Sequence, residues 1–210
     1  FNDLLIFRSA EVYLNFAEAK AELGTLTQED INLSVKRLRD RVGMSNLILD
    51  DANKNPDPYL SDEKTGYPNV TGANKGVILE IRRERTIELA MEGFRYYDIM
   101  RWKEGKTFEQ PLLGLYIPAK GAYDIEGEGT PDVYFATKGE TPSTTAKLTL
   151  VIDQDILFSD GDHGYISPHK NNPGIWDETR DYFYPIPTDD RSLTGGALTQ
   201  NPGWNDGLNF

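Results

Sequence analysis

The fold is decided by residues 80–102, which read EIRRERTIELAMEGFRYYDIMRW. Glutamates recur at positions 80, 84, 88 and 92, and this spacing places them on one stripe of an α-helix. Like charges four residues apart repel one another unless cations face them, and arginines are frequent in the same stretch. The pattern therefore predicts an internal arginine–carboxylate network with a structural role. We expect at least two of Arg95, Asp98 and Arg101 to be largely buried. Their expected partners are Glu84, Glu88 or Glu92.

Two segments ahead of this stretch carry the apolar period of α-helices. Apolar residues recur at helical intervals in 10–21 and again in 31–42. Gly24 is placed to end the first helix, and Thr27 with Asp30 resembles a capping box that starts the second. These signals predict an antiparallel helix pair over 2–23 and 28–43, with a helix over 76–92 packed beside it. The expected fold is mainly α, a tetratricopeptide-like helical hairpin scaffold with irregular loops; an ordinary small helical bundle is the alternative.

The remaining segments have a different character. Segment 48–75 is rich in Asp, Asn, Pro and Gly and predicts a long loop, while 153–181 predicts irregular surface chain. A few short β-strands are predicted between turns rich in Gly, Pro and Thr, at 112–117, 133–137 and 147–152. We expect one domain with two parts: a helical core over 1–110 and a loop-rich part with short strands over 111–210.

Composition narrows the classes of function. The 210-residue chain has a net charge of −12 and contains no cysteine. The acidic balance argues against nucleic acid, which needs a basic face, and disfavours electrostatic docking to anionic lipid. The absence of cysteine excludes disulfides, thiolate metal sites and a cysteine nucleophile within this sequence. It contains no apolar run long enough to predict a membrane span.

The residue order in 80–102 resembles the C-terminal signature of the SusD/RagB family, nutrient-binding lipoproteins on the surface of Bacteroidetes outer membranes. Other stretches resemble the same family, in the same order along the chain: 8–19, 38–44, 182–187 and 200–204. The resemblance implies the C-terminal portion of a protein that binds an oligosaccharide, or less often a peptide, and caps a SusC-like TonB-dependent transporter. It also implies a longer precursor, with a secretory signal, a lipid-bearing cysteine and a larger N-terminal part ahead of Phe1.

No catalytic constellation is visible in the sequence. His163 and His169 stand in a loop rich in Gly, Pro and Asn, and neither hydrolase nor phosphate-loop motifs occur. Counting carboxylates leaves a glycosidase pair open. However, the best-placed glutamates lie in the arginine-rich helix, where ion pairing lowers a carboxylate pKa and opposes a general acid. We therefore expect no enzymatic activity; the alternatives are a secreted glycoside hydrolase and a tetratricopeptide-like adaptor that binds protein segments.

Residues 124–132 carry a candidate calcium site. Carboxylates stand at loop positions one, three, five and nine around a glycine turn: Asp124, Glu126, Glu128 and Asp132. Calcium prefers such hard oxygen ligands at alternating positions. The twelfth position is Phe135 rather than Glu, so a flexible acidic turn before a strand is the alternative. The predicted function requires no cofactor. Calcium is the one metal ion for which the sequence offers a candidate site.

Aromatic residues in predicted loops are the candidates for ligand binding. Sugar sites combine flat aromatic faces with planar polar groups. Four aromatic residues stand near Asn and Asp in these loops: Tyr59, Tyr67, Tyr165 and Trp176. We expect a carbohydrate to stack on them, with Trp176 and Tyr67 as first choices. The alternative for each is packing under its own loop.

Overall fold

The structure is a computed structural model that describes residues 7–205. The chain divides into two compact units: Phe1–Thr107 with Trp176–Phe210, and Phe108–Ile175. The content is 35% helix and 10% strand, which confirms the prediction of a mainly α fold. The predicted boundary near residue 110 lies close to the first junction, and the prediction of a single domain stays a prediction.

The helices belong to the first unit. They are α1 (Ser9–Glu22), α2 (Gln28–Leu33), α3 (Val35–Arg41), α4 (Leu49–Lys54), α5 (Pro58–Ser61), α6 (Lys75–Glu88), α7 (Arg95–Trp102) and α8 (Thr188–Leu193). Helix α1 packs on α6, and their contact buries Ala17 and Ala21 together with Val77 and Ile81. Small alanines let the two helices approach closely, and α1 also contacts α2 and α3, as the predicted hairpin requires. None of the helices within residues 7–205 has the length and apolar character to cross a bilayer.

The second predicted helix is interrupted at Ser34. This residue has φ −123° and ψ −90°, and its hydroxyl donates to the Asp30 carbonyl at 2.6 Å. A serine that bonds to the backbone of the preceding turn competes with the regular helical ladder. The prediction of one continuous helix over 28–43 was therefore wrong. The first predicted helix begins at Ser9, and its residues 2–6 lie outside the described part of the chain.

The third predicted helix ends at Glu88 rather than at residue 92. Met91 and Gly93 have positive φ angles of 66° and 82°, so the backbone has left the helix before Glu92 is placed. Such left-handed residues end helices because they break the repeating backbone conformation. Helix α6 therefore carries three of the four glutamates of the predicted stripe, and Glu92 lies beyond its end.

Segment 48–75, predicted as a loop, contains two short helices and part of the core. Asp57 caps α5, because its Oδ1 accepts from the backbone N–H groups of Tyr59 at 2.8 Å and Leu60 at 3.1 Å. Leu60, Tyr67 and Val70 are buried in the core of the helical unit. Capping and burial together order a segment whose composition favours a loop.

The strands belong to the second unit. They are β1 (Tyr116–Ile117), β2 (Gly121–Tyr123), β3 (Val133–Ala136), β4 (Leu148–Val151) and β5 (Gly164–Tyr165). Strands β1 and β5 form an antiparallel pair; β3 pairs with β2 antiparallel and with β4 in parallel. The core of this unit contains Phe135 and Phe158, whose ring centroids lie 5.3 Å apart. Strands thus occur at all three predicted places, but they are shorter, and β5 lies in the segment predicted to be irregular.

Candidate ligand-binding site

The first unit contains a buried arginine–carboxylate network. Asp98, only 3% exposed, accepts from Arg85 Nε at 2.6 Å and from Arg101 Nε at 3.0 Å. Arg101 Nη2 also donates to Glu18 at 2.7 Å, and Trp102 Nε1 donates to the same carboxylate at 2.7 Å. Burial alone would raise the pKa of Glu18, yet the hydrogen bonds from Arg101 and Trp102 hold that pKa below its ordinary value. Asp98 and Glu18 therefore act in the packing of the helical unit as ion-paired groups.

The glutamates of the predicted stripe bind arginines from other parts of the chain. Arg39 Nε donates to Glu84 at 2.6 Å, and Arg41 Nη2 donates to Glu88 at 2.7 Å. Arg8 binds Glu88 and also Glu92, the latter through Nε at 2.9 Å. The turn after α6 explains why these glutamates bind other arginines. It places α7 so that Asp98 binds Arg85. The predicted pairing was therefore wrong: Arg95, Asp98 and Arg101 do not pair with Glu84, Glu88 or Glu92, and only Asp98 among the three is buried.

Tyr67 lies in an alternating stack of arginine and aromatic side chains. The Arg82 guanidinium lies 5.3 Å from the Tyr67 ring centroid and 4.5 Å from that of Trp102. Arg95 lies 5.5 Å from the Tyr67 ring centroid, and its Nη1 donates to the Tyr67 hydroxyl at 2.7 Å. With 4% of the residue exposed, Tyr67 offers no open face to a sugar. In the structure Tyr67 packs in the core of the helical unit.

Tyr59 and Trp176, two other predicted stacking residues, differ in their exposure. Tyr59 is exposed at α5. Trp176 is half-buried, and its ring meets that of Tyr182 edge to face with centroids 5.0 Å apart. It also packs on Gly105, where an added Cβ would lie 1.9 Å from the indole. Trp176 is thus fixed in the packing of its unit, whereas Tyr59 keeps an accessible ring.

The second unit places Tyr165 beside a second exposed tyrosine. Tyr165 stands directly opposite Tyr116 in the antiparallel pair of β1 and β5. The two ring centroids lie 5.1 Å apart with an interplanar angle of 67°, and the residues are 44% and 55% exposed. Cross-strand neighbours are held at this spacing by the strand register, so the pair is positioned by backbone rather than by a flexible loop. Tyr116 was missed as a binding candidate, although it stands within a predicted strand.

A groove of about 460 Å³ lies in the same unit. Ser159 connects the groove to the tyrosine pair, because it lines the groove and its Oγ accepts from the Tyr165 backbone N–H at 2.9 Å. Gly164, with φ +100°, makes this approach possible, since a Cβ there would lie 2.4 Å from the same Oγ. The lining combines apolar and polar side chains, among them Leu112, Leu113, His169, Lys170 and Asn172. Exposed rings beside a mainly apolar groove with a few polar groups have the composition of a carbohydrate site.

The predicted calcium turn brings together three of its four carboxylates. Ligand oxygens of Glu126, Glu128 and Asp132 lie within 4.8 Å of one another. Asp124 instead accepts backbone N–H groups of the turn, at 2.7 Å from Gly127. The Lys147 ammonium lies 2.7 Å from Glu128 and 3.1 Å from Asp132, and its hydrogen bond is the main cause that lowers the pKa of Asp132. A calcium ion would have to compete with this ammonium, and calcium at this turn stays a prediction.

Comparisons with known proteins place the chain in a family. No curated protein matches it. A crystal structure of a SusD-like protein from Bacteroides fragilis is similar, with a TM-score of 0.52 and 25% sequence identity; the similarity covers 95% of this chain and 25% of that one. The chain therefore spans about a quarter of the length of the structure it matches. Residues 2–204 match the model of the SusD family, and the chain belongs to this family.

Proposed function

We propose that this chain is part of a non-catalytic cell-surface protein that binds oligosaccharide nutrients. The observation that carries the proposal is the exposed Tyr116–Tyr165 pair beside a groove lined mainly by apolar side chains with a few polar groups, in a chain of the SusD family. SusD-family proteins have a general role in glycan binding during nutrient uptake. The tyrosine rings supply apolar faces for the C–H surfaces of a sugar.

The proposed partner is a SusC-like TonB-dependent transporter in the outer membrane, to which the bound oligosaccharide is delivered. The proposed localisation is the cell surface, through a lipid anchor outside this chain. Membership of the SusD family supports both proposals. The whole protein would supply additional contacts for the ligand and the partner, because this chain spans about a quarter of the matched structure.

Binding without turnover is proposed because two buried carboxylates of the helical unit are committed to other partners. Asp98 and Glu18 are held by arginines. Ion pairing keeps a carboxylate ionised and makes it a poor proton donor near neutral pH. A glycoside hydrolase would need two carboxyl groups facing one glycosidic bond, one of which is protonated. Reproducible cleavage of an oligosaccharide by the pure protein would therefore overturn the proposal, and specific capture of a peptide without glycan binding would favour the adaptor alternative.

The tyrosine pair gives the proposal a direct test. An oligosaccharide panel is measured with two readouts, calorimetric binding and release of shortened products. For a bound oligosaccharide, Tyr165→Ala and Tyr116→Ala should each weaken binding by about tenfold, because each removes one aromatic face from the platform. Tyr97→Ala is the matched control, since Tyr97 is an exposed tyrosine of the helical unit. Equal affinity for the control and both platform variants would show that the sugar binds elsewhere.

A further inference from the structure

A second recess, in the helical unit, has a polar lining that the proposed platform does not use. Its volume is about 310 Å³. This lies at the lower end of the range of small-molecule sites, about 300–1,000 Å³. Its polar lining residues include Ser61, Glu63, Asn69, Glu104, Lys106 and Glu178.

Glu104 is the deepest charged group in the recess. It is 3% exposed, and its two oxygens accept from Arg82 Nη1 and from Asn69 Nδ2, each at 3.1 Å. Burial raises the pKa of Glu104, against the opposing effect of Arg82. A carboxylate has about four acceptor positions, so two bonds leave capacity for a ligand donor. Asn69 uses its amide nitrogen for Glu104 and for the Lys103 carbonyl, which leaves its amide oxygen as an acceptor.

Ser61 adds a hydroxyl whose bonding is incomplete. Its Oγ is covered by protein and has no hydrogen-bond partner among residues 7–205. A buried polar atom without a partner is unfavourable, because it has lost its hydrogen bonds to water without replacing them. Serine has three staggered rotamers, and a ligand in the recess that Ser61 lines would need the hydroxyl in a rotamer that faces it. A ligand that donates or accepts at this point would remove the unfavourable contribution.

The charges of the lining select against anionic ligands, because an anion would meet the carboxylates of Glu63, Glu104 and Glu178. The Lys106 ammonium and the Arg82 guanidinium paired with Glu104 offset much of this negative charge, which lowers the attraction for a cation. Within the described part of the chain, neither Glu63 nor Lys106 is engaged in an ion pair, so both are available to solvent or ligand. Hydroxyl groups both donate and accept, which matches a lining that mixes carboxylate, amide, hydroxyl and ammonium groups.

We propose that this recess binds a single neutral sugar residue, either free or at the end of a chain, through hydrogen bonds with Ser61, Asn69, Glu104 and Lys106. The inference rests on the proposed carbohydrate function and extends it to a second, polar subsite. The Tyr116–Tyr165 platform recognises apolar ring faces, whereas this recess recognises hydroxyl groups.

The test uses the full chain and four free monosaccharides: glucose, galactose, mannose and N-acetylglucosamine. Each is titrated into isotope-labelled protein, and amide NMR signals are followed. At least one sugar should shift the backbone signals of Ser61 and Lys106 and the side-chain amide signal of Asn69. Ser61→Ala should weaken that sugar by about fivefold, the loss expected for one hydrogen bond.

Matched controls separate a lost contact from a lost fold. Glu63→Gln alters the rim without touching the buried Glu104–Arg82 pair and should also weaken the sugar, whereas Glu29→Gln, an exposed glutamate of α2, should not. If no monosaccharide moves the three reporter signals while an oligosaccharide still binds the tyrosine pair, the recess holds only water; the inference is then wrong and the proposed function stands. If a monosaccharide binds the recess but no oligosaccharide depends on Tyr116 or Tyr165, the tyrosine platform is wrong and the recess is supported.

Discussion

Asp98 is the residue on which the buried network of the helical unit converges. Its side chain and that of Arg85 are both almost fully buried, while Arg101 approaches from the more exposed side. The Asp98 carboxylate balances the charges of both arginines only while it keeps its own negative charge. Removing one member of a buried ion pair leaves a desolvated charge without a partner, which is far more unfavourable than losing a surface pair.

Asp98→Asn should therefore lower the free energy of unfolding by about 3–5 kcal/mol, measured by urea denaturation. Asp40→Asn is the matched control, because Asp40 pairs with Lys36 four residues away on the solvent side of α3. The control should change stability by less than about 1 kcal/mol. Similar small losses in both variants would contradict a buried role for the network.

Lys147 decides the behaviour of the acidic turn at residues 124–132. Its ammonium already occupies the position between Glu128 and Asp132 that a cation would take. Lys147→Met removes this competitor and leaves three carboxylates close together, so calcium should bind the variant more tightly than the parent in calorimetric titration. Lys138→Met is the control, since Lys138 is an exposed lysine of the same unit. Equal calcium affinity in all three proteins would show that Lys147 does not compete for the site.

At the scale of the element, the start of α2 is set by a capping box. The Thr27 hydroxyl accepts from the Asp30 N–H, and the Asp30 carboxylate accepts from the Thr27 N–H at 2.8 Å. The hydrogen bond from Lys20, followed by those from Thr27, lowers the pKa of Asp30 from its ordinary 3.8 to about 2. Because the folded state keeps Asp30 ionised more strongly than the unfolded state does, its contribution to stability is present above pH 3.8 and is lost as the pH falls towards 2.

Asp30→Asn should consequently lower the melting temperature most near neutral pH, and the gap between parent and variant should close as the pH falls to about 2. The measurement is a series of thermal unfolding curves between those limits. Glu29→Gln, in the same helical turn but outside the capping box, provides the comparison. A gap in melting temperature that stays constant down to pH 2 would mean that Asp30 stabilises the fold independently of its charge.

The elements that could be predicted from the sequence are those whose signals are local. The apolar stripe of α1 and the capping box of α2 depend on residues three or four positions apart, and both occur as predicted. The break at Ser34 was missed because its cause is a single side-chain bond to Asp30. Helix α5 was missed because its cap and the burial of Leu60 act against a loop-like composition.

The partners in the ion network illustrate the same limit. The sequence shows that glutamates on α6 need cations, but it does not show which arginines reach them. Arg8 and Arg39 come from segments that pack beside α6 only in the folded chain. The candidate site follows this rule too: Tyr165 is recognisable from the sequence, whereas its neighbour Tyr116 is identified only once the register of β1 and β5 is known. Tyr67 shows the converse, since a loop-like context did not reveal its burial.

At the scale of the whole molecule, each compact unit has its own buried cluster. Phe135 and Phe158 belong to the cluster of the second unit, whereas Ala17, Val77 and Ile81 belong to the helical unit. The three tryptophans of the chain, at positions 102, 176 and 204, all lie in the helical unit. Tryptophan fluorescence therefore reports the unfolding of that unit, and the second unit must be followed by another probe.

Phe158 tests whether the two units unfold separately. Phe158 is fully buried, so Phe158→Ala should destabilise the second unit by about 3–5 kcal/mol, through lost burial and the cavity that remains. Hydrogen exchange should accelerate at the amides of β3 and β4, while the midpoint of the fluorescence transition in urea should stay unchanged. Leu14→Ala, in the helical unit, is the reciprocal variant and should move the fluorescence midpoint without altering exchange in β3 and β4. If either variant moves both probes together, the chain unfolds as one cooperative domain, because a two-state transition gives the same midpoint for every probe.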